Sequence, residues 1–438
     1  MNCHLHVRQH FHPVGHGTFF TGVVWNKKLR RAAFSWAYDC GSRSQHRVEK
    51  AINDQNIAGW LPQEIDLLVL SHFDNDHVNG VEHFLQNRRV RWLAVPYMCI
   101  GQRVEEVLAG DASTCSASTA LFQLDPVQWL LTRGLSEQVG AVIFVKGGVS
   151  GDERSTLPDR GDNPSPEWDE LASRPSDDVF GSSLEPLLVD DMSPAVAARS
   201  KKWGGASFEM DHAASFGPGT LPLEFMFFNS DQPDLFITKG GARVARKSFA
   251  SIDVVQDQIA TAIDSSGLSY PLRLHRNWRS HFKKVYEHHF GATSKQRNNI
   301  SLCLMVRPLS EVSACSYFDG ERSVLMRSPR RPSAILDRAG LLCLGDLCMD
   351  MPTFNSMQAH YGANRLALVA TVQVPHHGSQ HSWVKGMAAK FSPDHFVHCI
   401  PDRCNGHHPH KLVTNDLHGF RVHRANGHSA VVLHYHFH

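Results

Sequence analysis

Ile65-Asp66-Leu67-Leu68-Val69-Leu70-Ser71-His72-Phe73-Asp74-Asn75-Asp76-His77-Val78-Asn79-Gly80 decides how the rest of the chain is read. The first six residues form a mostly apolar run, with the length and character of a strand covered on both faces. Directly after it come four side chains able to bind a metal, His72, Asp74, Asp76 and His77, within six positions. Residues two apart on extended backbone share a face. The spacing therefore places His72, Asp74 and Asp76 together and turns His77 the other way, so that one short loop serves two cations. A solvated turn has no use for so many ligand-type groups at a strand end.

Two later stretches repeat the arrangement. Leu341-Leu342-Cys343-Leu344-Gly345 runs into Asp346, and the apolar stretch 368–374 runs through Pro375 into His376-His377-Gly378-Ser379. Alone, Gly345-Asp346 reads equally well as an ordinary turn. Beside the other two it gains weight, because three strands that each end in a ligand-type residue imply ends converging on one site.

Around these motifs the chain divides into strand-rich ends and a less regular middle. At the N-terminal end, strand-like stretches at 5–8 and 18–25 flank the turn Gly15-His16-Gly17, and 32–38 leads to Asp39-Cys40-Gly41. This reads as an antiparallel meander, followed by a short helix at 48–56. The span 101–297 is less regular, and its part 150–200 is rich in Gly, Pro, Ser and Asp and reads as a loosely ordered insertion. A strand is expected at 221–229, with helices at 252–264 and 278–290. Further strands are expected at 300–306, 323–326, 340–344, 366–374, 395–400 and 430–435. Two strand-rich blocks, 1–100 and 298–438, suggest an α/β (α+β) protein with two sheets packed face to face and helices outside.

Composition bounds the function. The 438 residues are 42% hydrophobic, enough for one large core or two ordinary ones. A net charge of +1 gives no whole-molecule field toward nucleic acid or an acidic membrane, so any polyanion must be held locally. There are 29 histidines, several in pairs such as His288-His289, His376-His377 and His407-His408, so position has to select ligands from bystanders. The 10 cysteines form no CxxC pair and read as reduced thiols. Residues 1–18 lack the apolar run of a secretory signal, and no apolar stretch reaches the roughly 18 residues of a membrane span. A cytoplasmic protein without membrane contact is the expectation.

The H-x-D-x-D-H loop, the later strand-Gly-Asp and the Val374-Pro375-His376-His377-Gly378-Ser379 segment together resemble the metallo-β-lactamase superfamily. More narrowly, the chain is similar to the hydrolase domain of bacterial DNA-uptake competence proteins, with further matches at Asp39-Cys40-Gly41, Asn298-Asn299-Ile300-Ser301-Leu302 and His408-Pro409. The resemblance covers about 1–100 and 298–438 and leaves 101–297 without a counterpart. It implies a four-layer αββα metallo-β-lactamase sandwich with an inserted region. It also implies two divalent ions, His72 and Asp74 on one, Asp76 and His77 on the other, Asp346 bridging, and His377 completing a shell. His376, Ser379 and Asn299 would stand behind the ligands or touch substrate, and His408 would sit over the site as a catalytic group beside Asp76 and Asp346. Two departures stand out. Aspartate replaces the commoner histidine at position 74, which favours oxygen-seeking manganese as the alternative to zinc. The usual histidine between the loop and the bridging aspartate has no obvious equivalent, leaving Asn298 or Asn299 for its neighbourhood.

Two ions roughly 3.5–4 Å apart activate a water held between them and neutralise charge on the attacked group. The expected activity is that of a phosphodiesterase or nuclease, with nucleic acid or another phosphodiester as substrate. Basic segments at 27–31, 88–91, 243–247 and 327–331 are available for phosphates and read equally as solvated faces. The alternatives are hydrolysis of a lactone, thioester or amide by the same metals, or a binding module that keeps the fold without catalysis.

Overall fold

Apolar–polar alternation builds the first strand, while the next two carry apolar residues on both faces. The structure, a computed structural model, describes residues 5–59, 61–97, 117–147, 185–186, 205–218, 221–230, 235–237, 243–245, 301–310, 312–319, 322–324, 335–336, 338–403 and 408–437. Strands β1 (Leu5–Phe11), β2 (Phe19–Asn26) and β3 (Arg31–Cys40) form the antiparallel meander. Leu5, Val7 and Phe11 of β1 enter the central core, and the period of two sends His6, Arg8 and His10 to the opposite face. β4 (Glu64–Val69), β5 (Arg89–Pro96) and β6 (Val139–Lys146) then join in parallel. A helix precedes each of them: Gln45–Ala58, Val81–Asn87 and the pair Ala117–Leu124 and Pro126–Thr132. The short β7 (Glu185–Pro186) and β8 (Ala206–Asp211) complete that edge.

The second sheet begins with β9 (Ser215–Phe216) and β10 (Leu223–Phe228), while β11 (Leu235–Ile237) and β12 (Arg243–Ala245) form a separate ribbon. After β13 (Cys303–Pro308), which pairs with β10, the chain returns to the first sheet as β14 (Val312–Asp319), β15 (Arg322–Val324) and β16 (Ile335–Leu336). β17 (Gly340–Cys343), β18 (Val369–Gln373), β19 (His395–Cys399) and β20 (Arg421–Ala425) follow as parallel neighbours in the second sheet. Last, β21 (Val431–Phe437) closes the first sheet between β14 and β1.

Three apolar clusters define the layers. Between the sheets, Phe20, Trp36 and Ile143 of the first meet Phe225, Leu304 and Val397 of the second. On the far side of the first sheet, Val48, Ile52, Phe84 and Leu130 of its helices cover Ile65, Leu68 and Val142. On the far side of the second, Phe354 and Met357 of the helix Met351–Tyr361 and Val413 cover Met305, Leu342 and Phe396. The result is the four-layer αββα sandwich that the metallo-β-lactamase resemblance implies. Burial of both sheet faces is also why residues 67–70 and 340–344 carry runs without a charged residue.

Two local expectations shift. The strand expected from 366 starts later, because Ala363–Ala367 is helical. That turn lets Arg365 reach Glu224, a fully buried carboxylate that also takes Arg307 from the neighbouring strand at 2.8 Å. A buried charge of this kind requires such partners. The span 101–297 also contributes β6, β8 and β10 to the two sheets, with β10 where a strand was expected at 221–229. The expected helices at 252–264 and 278–290 lie outside the described residues, as does 150–200 apart from β7. Among the described residues, no helix is long and apolar enough to cross a membrane.

Candidate metal centre

Parallel strands put their carboxyl ends on one edge, and here the edges of both sheets coincide. The loop after β4, the turn after β17 and the turn after β18 meet there, stitched by Leu302 N–H to Ser71 O at 2.8 Å and His376 N–H to Gly345 O at 2.9 Å. After β4 the chain stays extended through Asp74 (φ −72°, ψ 148°), then closes one helical turn over Asn75–Val78. Helical backbone advances about 100° per residue, so the expected alternation stops at Asp74.

Two groups of ligand-type side chains result. His72, His77 and Asp346 form one, and His16, Asp76 and His377 the other, with the ligand atoms of each within 4.8 Å of one another. Asp76 and His77, expected on one ion, thus face different groups. Asp74, expected beside His72, is partly exposed and belongs to neither. Asp346 lies at the junction. Its Oδ1 is 3.1 Å from His77 Nε2 and 3.9 Å from His377 Nε2, and its Oδ2 is 3.7 Å from His72 Nε2 and 3.5 Å from His376 Nε2. Asp76 Oδ2 lies 3.4 Å from His16 Nε2 and 3.6 Å from His377 Nε2.

These separations fit a shared cation. Two donors each about 2.1 Å from a tetrahedral ion lie about 3.4 Å apart. The hydrogen bonds behind the imidazoles point the same way. His77 Nδ1 donates to Asp39 Oδ2 at 2.7 Å and His377 Nδ1 to the Cys399 carbonyl at 3.0 Å. The Ser71 hydroxyl donates to Asp39 at 2.8 Å, so its oxygen accepts from His72 Nδ1 at 2.9 Å. Each ring therefore turns Nε2 inward, and partners of this kind fix the tautomer of metal-binding histidines. His72 Nε2, His77 Nε2, His377 Nε2 and Asp346 Oδ1 are all buried without a hydrogen-bond partner. Four such atoms divided between two adjoining groups would be costly unless cations complete them.

Local sequence makes these turns feasible. Gly345 (φ 54°) precedes Asp346, and a Cβ there would stand 2.3 Å from Ser301 Oγ and 2.6 Å from Ser71 Cβ. His376 and His377 both adopt left-handed backbone (φ 47° and 51°), which is uncommon for any residue but glycine and found where a site demands it.

Electrostatics follows from burial and proximity. Burial and His77 hold His72 at about 3, despite Asp346. Burial opposes charge on His77, yet Asp346 and Asp39 on either side outweigh it and raise its pKa well above the imidazole range. Burial would lift Asp346, but His376, His77 and His72 keep it well below the carboxylate range. Burial and His377 lower His16 to about 2, against the pull of Asp76. The centre thus holds Asp76 and Asp346 ionised beside His16 and His72, which keep their lone pairs, and beside His77, which Asp346 and Asp39 hold protonated.

Of the remaining expected residues, His408 has its ring 5.1 Å from that of His16 and 5.6 Å from that of His376, over the same site. His376 is braced by Ser382 Oγ at 2.7 Å. Ser379 instead closes its own turn, its Oγ accepting from His381 N at 3.3 Å. Asn298 and Asn299 lie outside the described residues. Three contributors were not singled out as ligands or supports: His16, Asp39 and Arg43. The first two were visible only as a glycine-flanked histidine and as part of a family match. The basic run at 88–91 is no phosphate cradle at its start, since Arg88 is buried against Phe84. Arg43, half-exposed, lies 3.8 Å from Asp76 and lines a cleft of about 580 Å³ that opens beside His16.

No family model matches the chain, and no curated protein sequence matches it. Among solved structures, the metallo-beta-lactamase fold protein YhfI from Bacillus subtilis aligns over 97% of this chain and 98% of its own, at 8% identity and TM-score 0.35. A long form RNase Z from yeast aligns over 97% of this chain and 41% of its own, at 9% identity and TM-score 0.34. The layer order rests on the packing of the chain's own strands and helices, and these distant superpositions add nothing to it.

Proposed function

We propose that the chain is a metal-dependent hydrolase of phosphodiesters, a nuclease or phosphodiesterase, with two divalent ions held by His72, His77 and Asp346 on one side and His16, Asp76 and His377 on the other. The observation that carries the reading is the set of buried, inward-turned nitrogens and the Asp346 oxygen that lack any other partner. Two imidazoles and a carboxylate per group suit zinc, with manganese the alternative. Such ions would supply Lewis acidity and an activated water.

The chain's own residues account for the rest. Asp346, reaching both groups, keeps them at a common distance. Asp39, Ser71 and the Cys399 carbonyl hold the rings in one orientation, which spares reorganisation when substrate enters. Arg43 sets an exposed guanidinium beside Asp76 at the cleft, where an anionic backbone would lie, while Arg47 and His428 on the same wall lie against Asp402. A neutral acyl substrate has no need of that flank, which is why a phosphodiester is favoured over a lactone, thioester or amide. His408, across the site, would contact the leaving group. The purified chain is expected to bind zinc or manganese and to cleave bis(p-nitrophenyl) phosphate or single- or double-stranded DNA or RNA, with activity lost in Asp346→Asn. Metal bound at this centre with ester or amide turnover but no phosphodiester cleavage would select the acyl reading instead. Metal-free, inactive protein would leave a binding module.

A further inference from the structure

A second histidine cluster lies away from this centre. His434 and His436, two apart on β21, share the outer face of the first sheet, and the register sets His6 of β1 directly opposite His436. The three rings stand 4.8–5.6 Å apart, and one nitrogen from each lies within 4.8 Å of the others. His6 faces Trp25, and Trp25 faces Ala32, so the cluster sits about seven residues along β3 from Asp39, roughly 23 Å at a strand's rise. Tyr435 and Phe437 alternate inward to the core, which fixes the histidines outward. The alternation continues in sequence to His4 and His438, outside the described residues.

A second observation points to a ligand. His6 is only 9% exposed, yet its Nδ1 has no hydrogen-bond partner. Burial, then Lys27, His436 and Arg8, hold His6 at about 4, so its lone pair is available at neutral pH. The group contains no carboxylate, and Arg8 and Lys27 bear on it, which disfavours magnesium and calcium. Three imidazoles suit zinc, cobalt, nickel or copper, whose bonds to nitrogen carry the affinity.

We infer that His6, His434 and His436 bind one divalent transition-metal ion, a third site independent of the proposed catalytic pair, which ties the last strand to the first. Cobalt(II) is the probe, because its visible absorption reports imidazole coordination. His434→Gln/His436→Gln changes partly exposed side chains. It is expected to lose one equivalent of bound metal by elemental analysis while phosphodiester cleavage stays at the wild-type rate. In Asp76→Asn/Asp346→Asn, which disables the other centre, one cobalt equivalent and its spectrum should remain, and adding His434→Gln should abolish both. Equal metal content in wild type and His434→Gln/His436→Gln would overturn the inference, as would loss of all cobalt in Asp76→Asn/Asp346→Asn. Failure of the catalytic reading alone would appear as an inactive chain that still carries this single, His434-dependent ion.

Discussion

At the residue scale, Asp39 orders much of the centre through one carboxylate. It accepts from Ser71 N at 2.7 Å, from the Ser71 hydroxyl and from His77 Nδ1, and so fixes the loop and, through Ser71, the His72 ring. In an Asp39→Asn variant one carboxylate oxygen becomes an NH2, which cannot accept the His77 proton, so the ring loses its reason to present Nε2 inward. This substitution is expected to weaken metal binding or activity about 10–100-fold, the usual cost of losing such a partner. Titration against a competing chelator measures it. Unchanged affinity would confine Asp39 to supporting Ser71. The loop itself was legible because ligand-type residues crowd one strand end. The sorting of its members was not, since a single helical turn starting at Asn75 separates Asp76 from His77, and no side-chain pattern announces so short a turn. His16 was hidden for another reason: its role exists only once β1 and β2 bring their connecting turn against residues 60 and 361 positions later, Asp76 and His377.

At the scale of elements, the turn after β17 is the tightest join between the sheets, and Gly345 makes it. Gly345→Ala would combine left-handed backbone with contacts to Ser301 Oγ and to Ser71 Cβ, which is anchored to its own backbone and cannot swing aside. The expected loss is about 2 kcal/mol or more, with weaker metal binding because Asp346 is the next residue. Gly134→Ala is the comparison, having a similar positive φ (66°) and open space around it, so that only about 1 kcal/mol is at stake. Denaturant midpoints of the two variants would separate steric contact from backbone strain, and equal midpoints would show that Ser71 and Ser301 yield freely. Strands buried on both faces, such as β4 and β17, were plain in the sequence because their apolar runs have one explanation. β5 was obscured by Arg89 and Arg91, of which Arg91 lies over the Trp92 ring, and β6 by its place in a span read as irregular. The helix at 363–367 escaped notice because the Glu224 that recruits Arg365 is remote in sequence.

For the whole molecule, the abundance of histidine becomes a stability question. His10, His72 and His398 sit at about 3 and His12 lies well below its usual value, burial being the first cause in each. In the unfolded chain the same rings take up protons near pH 6.5. Their contribution is therefore complete above about pH 6.5 and lost as pH falls toward 3, each at up to about 1.4 kcal/mol per unit. His77 acts the other way. Its raised pKa means the folded chain already holds that proton, so its contribution is present below pH 6.5 and fades only as pH rises through the folded value. Below pH 6.5 His77 is protonated folded or unfolded and drops out, so these four rings leave roughly four protons, about 5 kcal/mol per pH unit, and two units of acidification then match the 5–15 kcal/mol that holds a typical domain. Far-UV circular dichroism should place the acid transition above pH 4. Zinc should steepen it, because ions at the centre leave as their imidazoles protonate. A chain that stays folded at pH 3, or unfolds with the same steepness with and without zinc, would mean that water reaches these rings and that the centre does not bind metal as the fold is lost.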